Sequence, residues 1–250
     1  MSHFLHDLHT DLRGSRISGR GKSNTSEARV LGQHKTYQRM ERIALPNPLP
    51  LNCSLDTALA TRESVSQCPQ QLPLSVDTMG TLLGHALRRR EGKINRNYPS
   101  GGALYPIETY VLTTKFEGAK PGVFHYNPSE HALVRLWDIP PLELSEVANG
   151  GRENFDFSTL ILFTSVWKRS SAKYGNFAYN LALMEAGHMS ENILLVSTAL
   201  ALKSRPLAGF NDQRIANLLD LTDEEQPILG IALIKPSLNS IKRKEELIEE

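Results

Sequence analysis

The segment of residues 96–108 combines residue types that suit a binding edge for a flat or anionic ligand. Pro99 restricts the residue before it to extended backbone geometry. The next three residues, Ser100, Gly101 and Gly102, offer one hydroxyl and three backbone amides without a bulky side chain. Glycine lets a ligand approach the backbone itself. The same residues also form ordinary turns, so the segment alone leaves both interpretations open.

Several common catalytic and metal-binding motifs are absent from the sequence. There is no glycine-rich dinucleotide fingerprint and no Walker loop, so neither phosphate-binding motif is supported. Ser100 lies outside a GxSxG motif and has no evident base nearby in sequence, which disfavours a hydrolase. Glu185 and His188 have the spacing of helical metal ligands, but two ligands are too few and no metal site is predicted. Cys53 and Cys68 form neither a disulfide framework nor a CxxC zinc pair.

The composition is that of a globular protein rather than a disordered one. Hydrophobic residues make up 40% and charged residues 22% of the 250 residues. The 28 basic and 27 acidic residues give a net charge of +1, so no overall field indicates a nucleic-acid or membrane partner. No apolar stretch reaches the roughly 18 residues of a membrane span. We therefore expect a soluble, cytoplasmic protein.

Charge and proline content divide the chain into three regions. Residues 1–45 carry eight basic and four acidic residues among many serines and glycines, and three prolines follow at positions 46, 48 and 50. We predict an N-terminal arm with a proline-rich linker over residues 1–50 and one domain over residues 51–237. A charged tail occupies residues 238–250.

The predicted elements mix helices and strands without strict alternation, which favours an α+β fold. Apolar residues at helical spacing predict helices over residues 55–62, 79–87, 142–149 and 177–202 and a further helix around residues 215–219. Runs rich in β-branched and aromatic residues predict strands at 109–114, 123–126, 132–137, 160–166 and 228–234. The first three of these strands are expected to form an antiparallel meander.

Three blocks of the sequence resemble one family. Residues 99–108, with the sequence PSGGALYPIE, resemble the signature of the SagB-type azoline dehydrogenases of the FMN-dependent nitroreductase superfamily. A second block, Lys173 and Tyr174 followed by residues 184–192 and 208–210, resembles the long central helix of that family and the turn after it. Residues 59–66 resemble the phosphate segment of the superfamily. The resemblance covers residues 55–234.

The resemblance implies a fold, a cofactor and an activity. The expected fold is a mixed, mostly antiparallel sheet surrounded by helices, with a long central helix. Members of the family are homodimers with FMN at the subunit interface. They oxidise thiazoline and oxazoline rings of a ribosomally made precursor peptide to thiazoles and oxazoles, within a complex that contains a cyclodehydratase.

The resemblance also implies roles for individual residues. Lys173 and Tyr174 align with the family's catalytic pair, and Lys168 and Arg169 are close enough in sequence to influence the lysine. Ser66 stands where the superfamily has a basic residue, which removes one charge-assisted phosphate contact that Lys235 could replace. The residues expected to contact FMN are Arg62, Ser64, Ser66, Pro99, Ser100, Gly101, Gly102, Ala208, Gly209 and Lys235.

Two other functions remain open at this point. The chain could be a general nitroreductase that uses NAD(P)H to reduce small electron acceptors, or a flavin-free scaffold subunit of the synthetase. Glu185 and His188 are expected to make a polar contact across the dimer rather than to bind a metal.

Overall fold

The computed structural model describes residues 7–8, 10–12, 34–66, 71–140, 144–148 and 155–237. The predicted charged tail of residues 238–250 lies outside these residues, as does Cys68. No helix in the described part of the chain is long and apolar enough to cross a membrane.

The centre of the molecule is an eight-stranded antiparallel sheet with the order β1-β7-β6-β4-β8-β10-β2, in which β9 also pairs with β10. A separate parallel pair is formed by β3 and β5. The strands are β1 (Arg42–Ala44), β2 (Gln71–Leu72), β3 (Leu74–Ser75), β4 (Ile107–Thr113), β5 (Phe116–Glu117), β6 (Gly122–Asn127), β7 (Ala132–Trp137), β8 (Thr159–Val166), β9 (Lys203–Leu207) and β10 (Glu225–Pro236).

The helices cover both faces of the sheet. They are α1 (Leu55–Thr61), α2 (Val76–Leu87), α3 (Lys168–Tyr174), α4 (Ala178–Ala199) and α5 (Asp212–Leu219). Side chains alternate across a strand. On β8, Ile161 therefore belongs to the core cluster that α2 and α4 cover, whereas Leu160 belongs to the cluster that α5 covers. The central strands β4 and β8 are buried on both faces because helices or loops pack on each.

Helix α4 sets the length of the domain. Its 22 residues span about 33 Å at about 1.5 Å per residue. It follows β8 and α3 in the chain and ends just before β9, so it runs antiparallel to β8 across one face of the sheet. Buried small residues on α4, including Ala182, Ala186 and Ser190, allow close packing against its neighbours.

The structure confirms the α+β fold, the mostly antiparallel sheet and the long central helix. It also confirms the meander of β4, β6 and β7. The predicted helix over residues 142–149 is wrong, since the described residues there form only the 3-10 turn Leu144–Glu146. The end of this segment is instead extended, since Ala148 forms an antiparallel bridge with Phe210 and the Asn211 amide donates to the Val147 carbonyl at 3.0 Å.

Residues 42–48 pack on the domain. Strand β1 pairs with β7 through Ile43 and Leu133, and Leu45 is buried. Pro48 lies directly over Gly84 of α2, where an added β-carbon would meet the proline ring at 2.2 Å. The division of the chain at residue 50 stays a prediction, and residues 42–48 contribute to the folded unit.

Candidate active site

The glycine turn, defined here as residues 99–105, is fixed by its own backbone. It contains the 3-10 turn Gly101–Ala103, in which Gly102 has a φ of +66°. The Ser100 hydroxyl accepts a hydrogen bond from the Tyr105 backbone amide at 2.9 Å, and the Ala103 amide donates to the Ser100 carbonyl at 3.1 Å. Gly102 is exposed, so the turn presents open backbone at the surface.

Lys173 and Tyr174 meet the glycine turn at Gly102. A β-carbon on Gly102 would lie 2.6 Å from the Tyr174 Oη atom and 2.8 Å from the Lys173 Nζ atom. The Nζ atom also lies 5.1 Å from the centre of the Tyr174 ring. Only glycine leaves room for both functional groups at this point. The structure thus brings together two groups of predicted site residues that are about 70 positions apart in sequence.

Buried polar side chains next to the glycine turn form a network of contacts with it. Arg96 donates from Nη1 to the Tyr98 hydroxyl at 2.7 Å, and its backbone amide donates to the Tyr105 hydroxyl at 3.0 Å. Its guanidinium carbon lies 4.5 Å from the centre of the Tyr105 ring. Burial raises the pKa of Tyr98 although Arg96 opposes this, so Tyr98 acts as a neutral hydrogen-bonding group.

Glu185 on α4 lies beneath the same turn. Its side chain is 2% exposed, and neither carboxyl oxygen forms a hydrogen bond within the described part of the chain. Burial raises the pKa of Glu185 to about 7, against the opposing influence of the Ser100 hydroxyl and of Arg96. Glu185 is enclosed by its own chain while His188 is exposed, and the expected contact of the two residues across a dimer stays a prediction.

A second carboxylate, Glu108, lies in a charged cluster that sequence reasoning missed. Glu108 accepts hydrogen bonds from His125 Nε2 at 2.6 Å and from the Lys35 backbone amide at 2.8 Å, and it pairs with Arg169 of α3. Burial alone would raise the pKa of Glu108, but His125 and Arg169 hold it well below its usual range. Arg169 therefore contacts Glu108 rather than Lys173. Lys168 pairs with Glu224 at 3.5 Å.

An apolar cavity of about 460 Å³ lies next to the Lys173–Tyr174 pair. Trp167 and Tyr179 stack on one side of it with ring centres 5.6 Å apart. Ser171 and Gly175, which flank the pair in sequence, also line this cavity. Leu8 and Leu12 also line it, so the cavity lies between the N-terminal residues and the start of α4.

The predicted phosphate segment lies beside β9. The Val65 amide donates to the Ser204 carbonyl at 3.0 Å, and Arg205 Nη1 donates to the Val65 carbonyl at 3.0 Å. Arg62 caps the C-terminal end of α1, and Ser64 and Ser66 are exposed on either side of Val65. Lys235 follows Ile234, the residue that pairs with Lys203 at the start of β9. Ala208 and Gly209 follow the end of β9 and are exposed.

The glycine turn and the phosphate segment lie at opposite ends of α4. Leu181, in the first turn of α4, contacts Gly101. Val196 and Ala199, in the last turn, line a cavity with Ala58 of α1. The separation along the helix axis is about 25 Å, at about 1.5 Å per residue. A ligand that contacts both groups within one chain would have to span this distance.

The residues present fit an FMN. Gly102 is exposed and has no side chain, so a flat ring can approach the backbone of the turn at this residue. Arg62 and the hydroxyls of Ser64 and Ser66 are suitable donors for a phosphate. Within the described residues there is no group of three His, Cys, Asp or Glu side chains that could hold a metal ion.

The fold is that of an oxidoreductase of the nitroreductase type. The chain matches the nitroreductase family over residues 59–233, and it belongs to that family. Proteins of this family generally bind a flavin.

Two known proteins are particularly informative relatives. The chain is 33% identical over 159 residues to the microcin B17-processing protein McbC of Escherichia coli, covering 59% of this chain and 57% of that protein. It is 25% identical over 208 residues to the trifolitoxin-processing protein TfxB of Rhizobium leguminosarum bv. trifolii, covering 77% and 56%. The chain thus spans little more than half the length of these curated relatives.

A solved structure shows the same fold. It is that of the Escherichia coli microcin synthetase McbBCD complex with truncated pro-MccB17 bound. The matched chain has a TM-score of 0.64 and 24% identity, and the match covers 94% of this chain and 92% of that one.

Proposed function

We propose that this protein is an FMN-dependent dehydrogenase that oxidises thiazoline and oxazoline rings of a ribosomally synthesised peptide to thiazoles and oxazoles. The observation that carries the proposal is the meeting of Lys173 Nζ and Tyr174 Oη at Gly102. It is supported by the likeness to two proteins that process peptide antibiotics, microcin B17 and trifolitoxin. The proposed role belongs to the cytoplasm, where ribosomal peptides are made.

The chemistry requires a base beside an electron acceptor. Conversion of an azoline to an azole removes a proton from the former peptide α-carbon and a hydride equivalent from the adjacent ring carbon. FMN, when bound, supplies the two-electron acceptor. Lys173 and Tyr174 are the groups that can take and hold the proton at a ring lying over Gly102. The gain in aromaticity favours the products.

The other residues of the site would bind and orient FMN and the peptide. The proposed contacts to the FMN phosphate come from Arg62, Ser64 and Ser66, with Lys235 as a further cation. Backbone amides at Ala208 and Gly209 would face the central ring, where donors favour the reduced, anionic form. Peptide residues that flank the heterocycle would pack on Trp167 and Tyr179, whose cavity adjoins the Lys173–Tyr174 pair.

The separation of the two FMN-binding groups supports a homodimer. We propose that Pro99, Ser100, Gly101 and Gly102 of one copy meet the phosphate segment of the other, so that each dimer holds two complete sites. We further propose that the dimer works within a complex containing cyclodehydratase subunits. The similarity to a chain of the McbBCD microcin synthetase, a complex with truncated pro-MccB17 bound, supports a partnership with synthetase subunits and a precursor peptide.

The test is a reconstituted reaction. The purified chain with FMN, its cyclodehydratase partners and the precursor peptide should yield a product that has lost two hydrogens per ring, measured by mass spectrometry. The variant Lys173→Ala should leave azolines unoxidised while FMN absorption is retained. Lys115→Ala, which removes an exposed lysine between β4 and β5, is the matched control for loss of a cation.

Two results would contradict the proposal. Azolines that persist with the wild-type, FMN-loaded complex, together with rapid flavin reduction by NADPH alone, would indicate a general nitroreductase. A Lys173→Ala complex that gives unchanged amounts of azole, with no flavin in the purified chain, would indicate a scaffold subunit.

A further inference from the structure

We propose that Glu108 and Arg169 are a positioning pair that holds α3 against the glycine turn, so that Lys173 and Tyr174 face Gly102. This inference rests on the proposed function for the role of that pair. Neither Glu108 nor Arg169 reaches the reacting atoms. They act through the helix that carries the two titratable side chains.

Helix α3 needs an external support. It has seven residues, its N-terminal residue Trp167 provides no side-chain cap, and it ends at Gly175 with a φ of +54°. Isolated helices shorter than about 12 residues are marginal in water. The position of α3 is therefore determined by tertiary contacts of its buried residues, Arg169 and Ser170.

Arg169 connects α3 to β4 and to the glycine turn, with one bond to each. Its Nη2 atom pairs with Glu108 Oε1, and its Nη1 atom donates to the Tyr105 carbonyl at 3.2 Å. The amide of the same Tyr105 donates to the Ser100 hydroxyl. Lys173 lies four residues after Arg169, which is one helical turn. A shift of the guanidinium would therefore move the Lys173 Nζ atom relative to Gly102.

Glu108 is itself held from three directions. His125 on β6, the Lys35 backbone amide and Arg169 all bind its carboxylate, which is 2% exposed. Its anchor is β4, which pairs with β6 and β8 at the centre of the sheet. The Glu108–Arg169 pair thus attaches α3, a helix too short to be stable in isolation, to β4 at the centre of the sheet.

A second buried carboxylate provides a matched control. Glu225 on β10 is 3% exposed and pairs with Lys35 Nζ. It also accepts hydrogen bonds from the Tyr110 hydroxyl at 3.0 Å and the Thr164 hydroxyl at 2.5 Å. These three partner side chains lie outside α3. Removing the charge of Glu225 therefore measures how much stability is lost when a buried ionic cluster is disturbed while the Arg169–Glu108 contact is kept.

The experiment compares Glu108→Gln with Glu225→Gln in the full chain with FMN and the synthetase partners. In Glu108→Gln, we expect the backbone amides of residues 168–174 to exchange with deuterium at least about tenfold faster than in wild type. Loss of one charge-assisted hydrogen bond changes an equilibrium constant by about this factor. We expect kcat to fall by about 100-fold, because a displacement of about 1 Å at a reacting group has an effect of this size. The KM should stay within about twofold of the wild-type value. Glu225→Gln should lower the Tm while changing neither the exchange of this segment nor kcat.

Equal exchange of residues 168–174 in the two variants, or equal losses of kcat, would overturn the proposal. If Glu108→Gln does not fold, Arg169→Lys provides the second variant. It keeps one charged contact to Glu108 but loses the bond to Tyr105, and unchanged exchange and kcat there would also overturn the proposal. Hydrogen exchange requires no peptide substrate. A wild-type protein that fails to oxidise azolines would therefore count against the proposed function alone.

Discussion

The Nζ atom of Lys173 lies 2.8 Å from the position that a β-carbon on Gly102 would occupy. The absence of a side chain at residue 102 is thus a condition for the geometry of the site. The positive φ of Gly102 is a second, independent requirement for glycine at that position.

Substitution of Gly102 by alanine should abolish most of the activity. The methyl group would displace both Lys173 Nζ and Tyr174 Oη, and a displacement of about 1 Å can cost about 100-fold in rate. Gly92 is the matched control, since it has the same φ of +66° and nothing within 4 Å of an added β-carbon. Both variants should lose about 1 kcal/mol of stability from the left-handed backbone. Only Gly102→Ala should lose kcat, and equal kcat losses would refute the steric argument.

Arginine at position 66 should tighten FMN binding. Ser66 is exposed beside the phosphate segment, so a guanidinium there would add a charge-assisted contact without a steric conflict. We expect Kd to fall about tenfold in a titration that follows flavin fluorescence. Ser129→Arg, an exposed serine in the turn between β6 and β7, adds the same charge elsewhere and should leave Kd unchanged. Equal tightening in both variants would show a nonspecific effect of net charge.

Mixed dimers should recover activity from two inactive chains. Arg62→Ala removes a proposed phosphate contact, and Lys173→Ala removes the residue at the other end of α4. Random pairing of equal amounts leaves about one quarter of the sites with both wild-type residues. Coexpressed chains should therefore reach about 25% of wild-type kcat per site, measured by azole formation. Activity no higher than that of either variant alone would place both residues in the same site of one chain.

The Glu185→Gln variant should become more stable than wild type as the pH rises. Burial raises the pKa of Glu185 from 4.5 to about 7, so the folded state holds the proton more tightly than the unfolded state. The resulting stabilisation is fully present below pH 4.5 and is lost as the pH rises through 7. Glutamine stays neutral, and its advantage should grow to about 3 kcal/mol by pH 8. Urea unfolding between pH 4.5 and pH 8 measures this, with the exposed Glu91→Gln as control. A pH-independent difference between Glu185→Gln and wild type would contradict it.

The central strands and long helices could be predicted from the sequence because their patterns are local. The apolar run of residues 160–166 matches β8, and the helical spacing of residues 177–202 matches α4. Strand β9 was missed because its sequence, Lys-Ser-Arg-Pro-Leu, lacks an apolar alternation. It is a strand because β10 pairs with it, which is a long-range contact that no local pattern reports.

The site was only partly predictable for the same reason. The glycine turn was identified from residue types, and Lys173 and Tyr174 came from the family resemblance. The role of Glu108 was not evident, although it ends the segment PSGGALYPIE, because two of its partners, Lys35 and Arg169, lie 73 and 61 positions away. The nearest available signal was a carboxylate at the start of an otherwise apolar strand, since such a residue is rarely buried without partners.

The length of α4 has a consequence for how the enzyme behaves at low concentration. In the proposed homodimer, two chains must associate before either end of α4 completes a site, so dilution below the dimer dissociation constant would separate every site into halves. Specific activity would then decline with dilution, and FMN would leave at the same time.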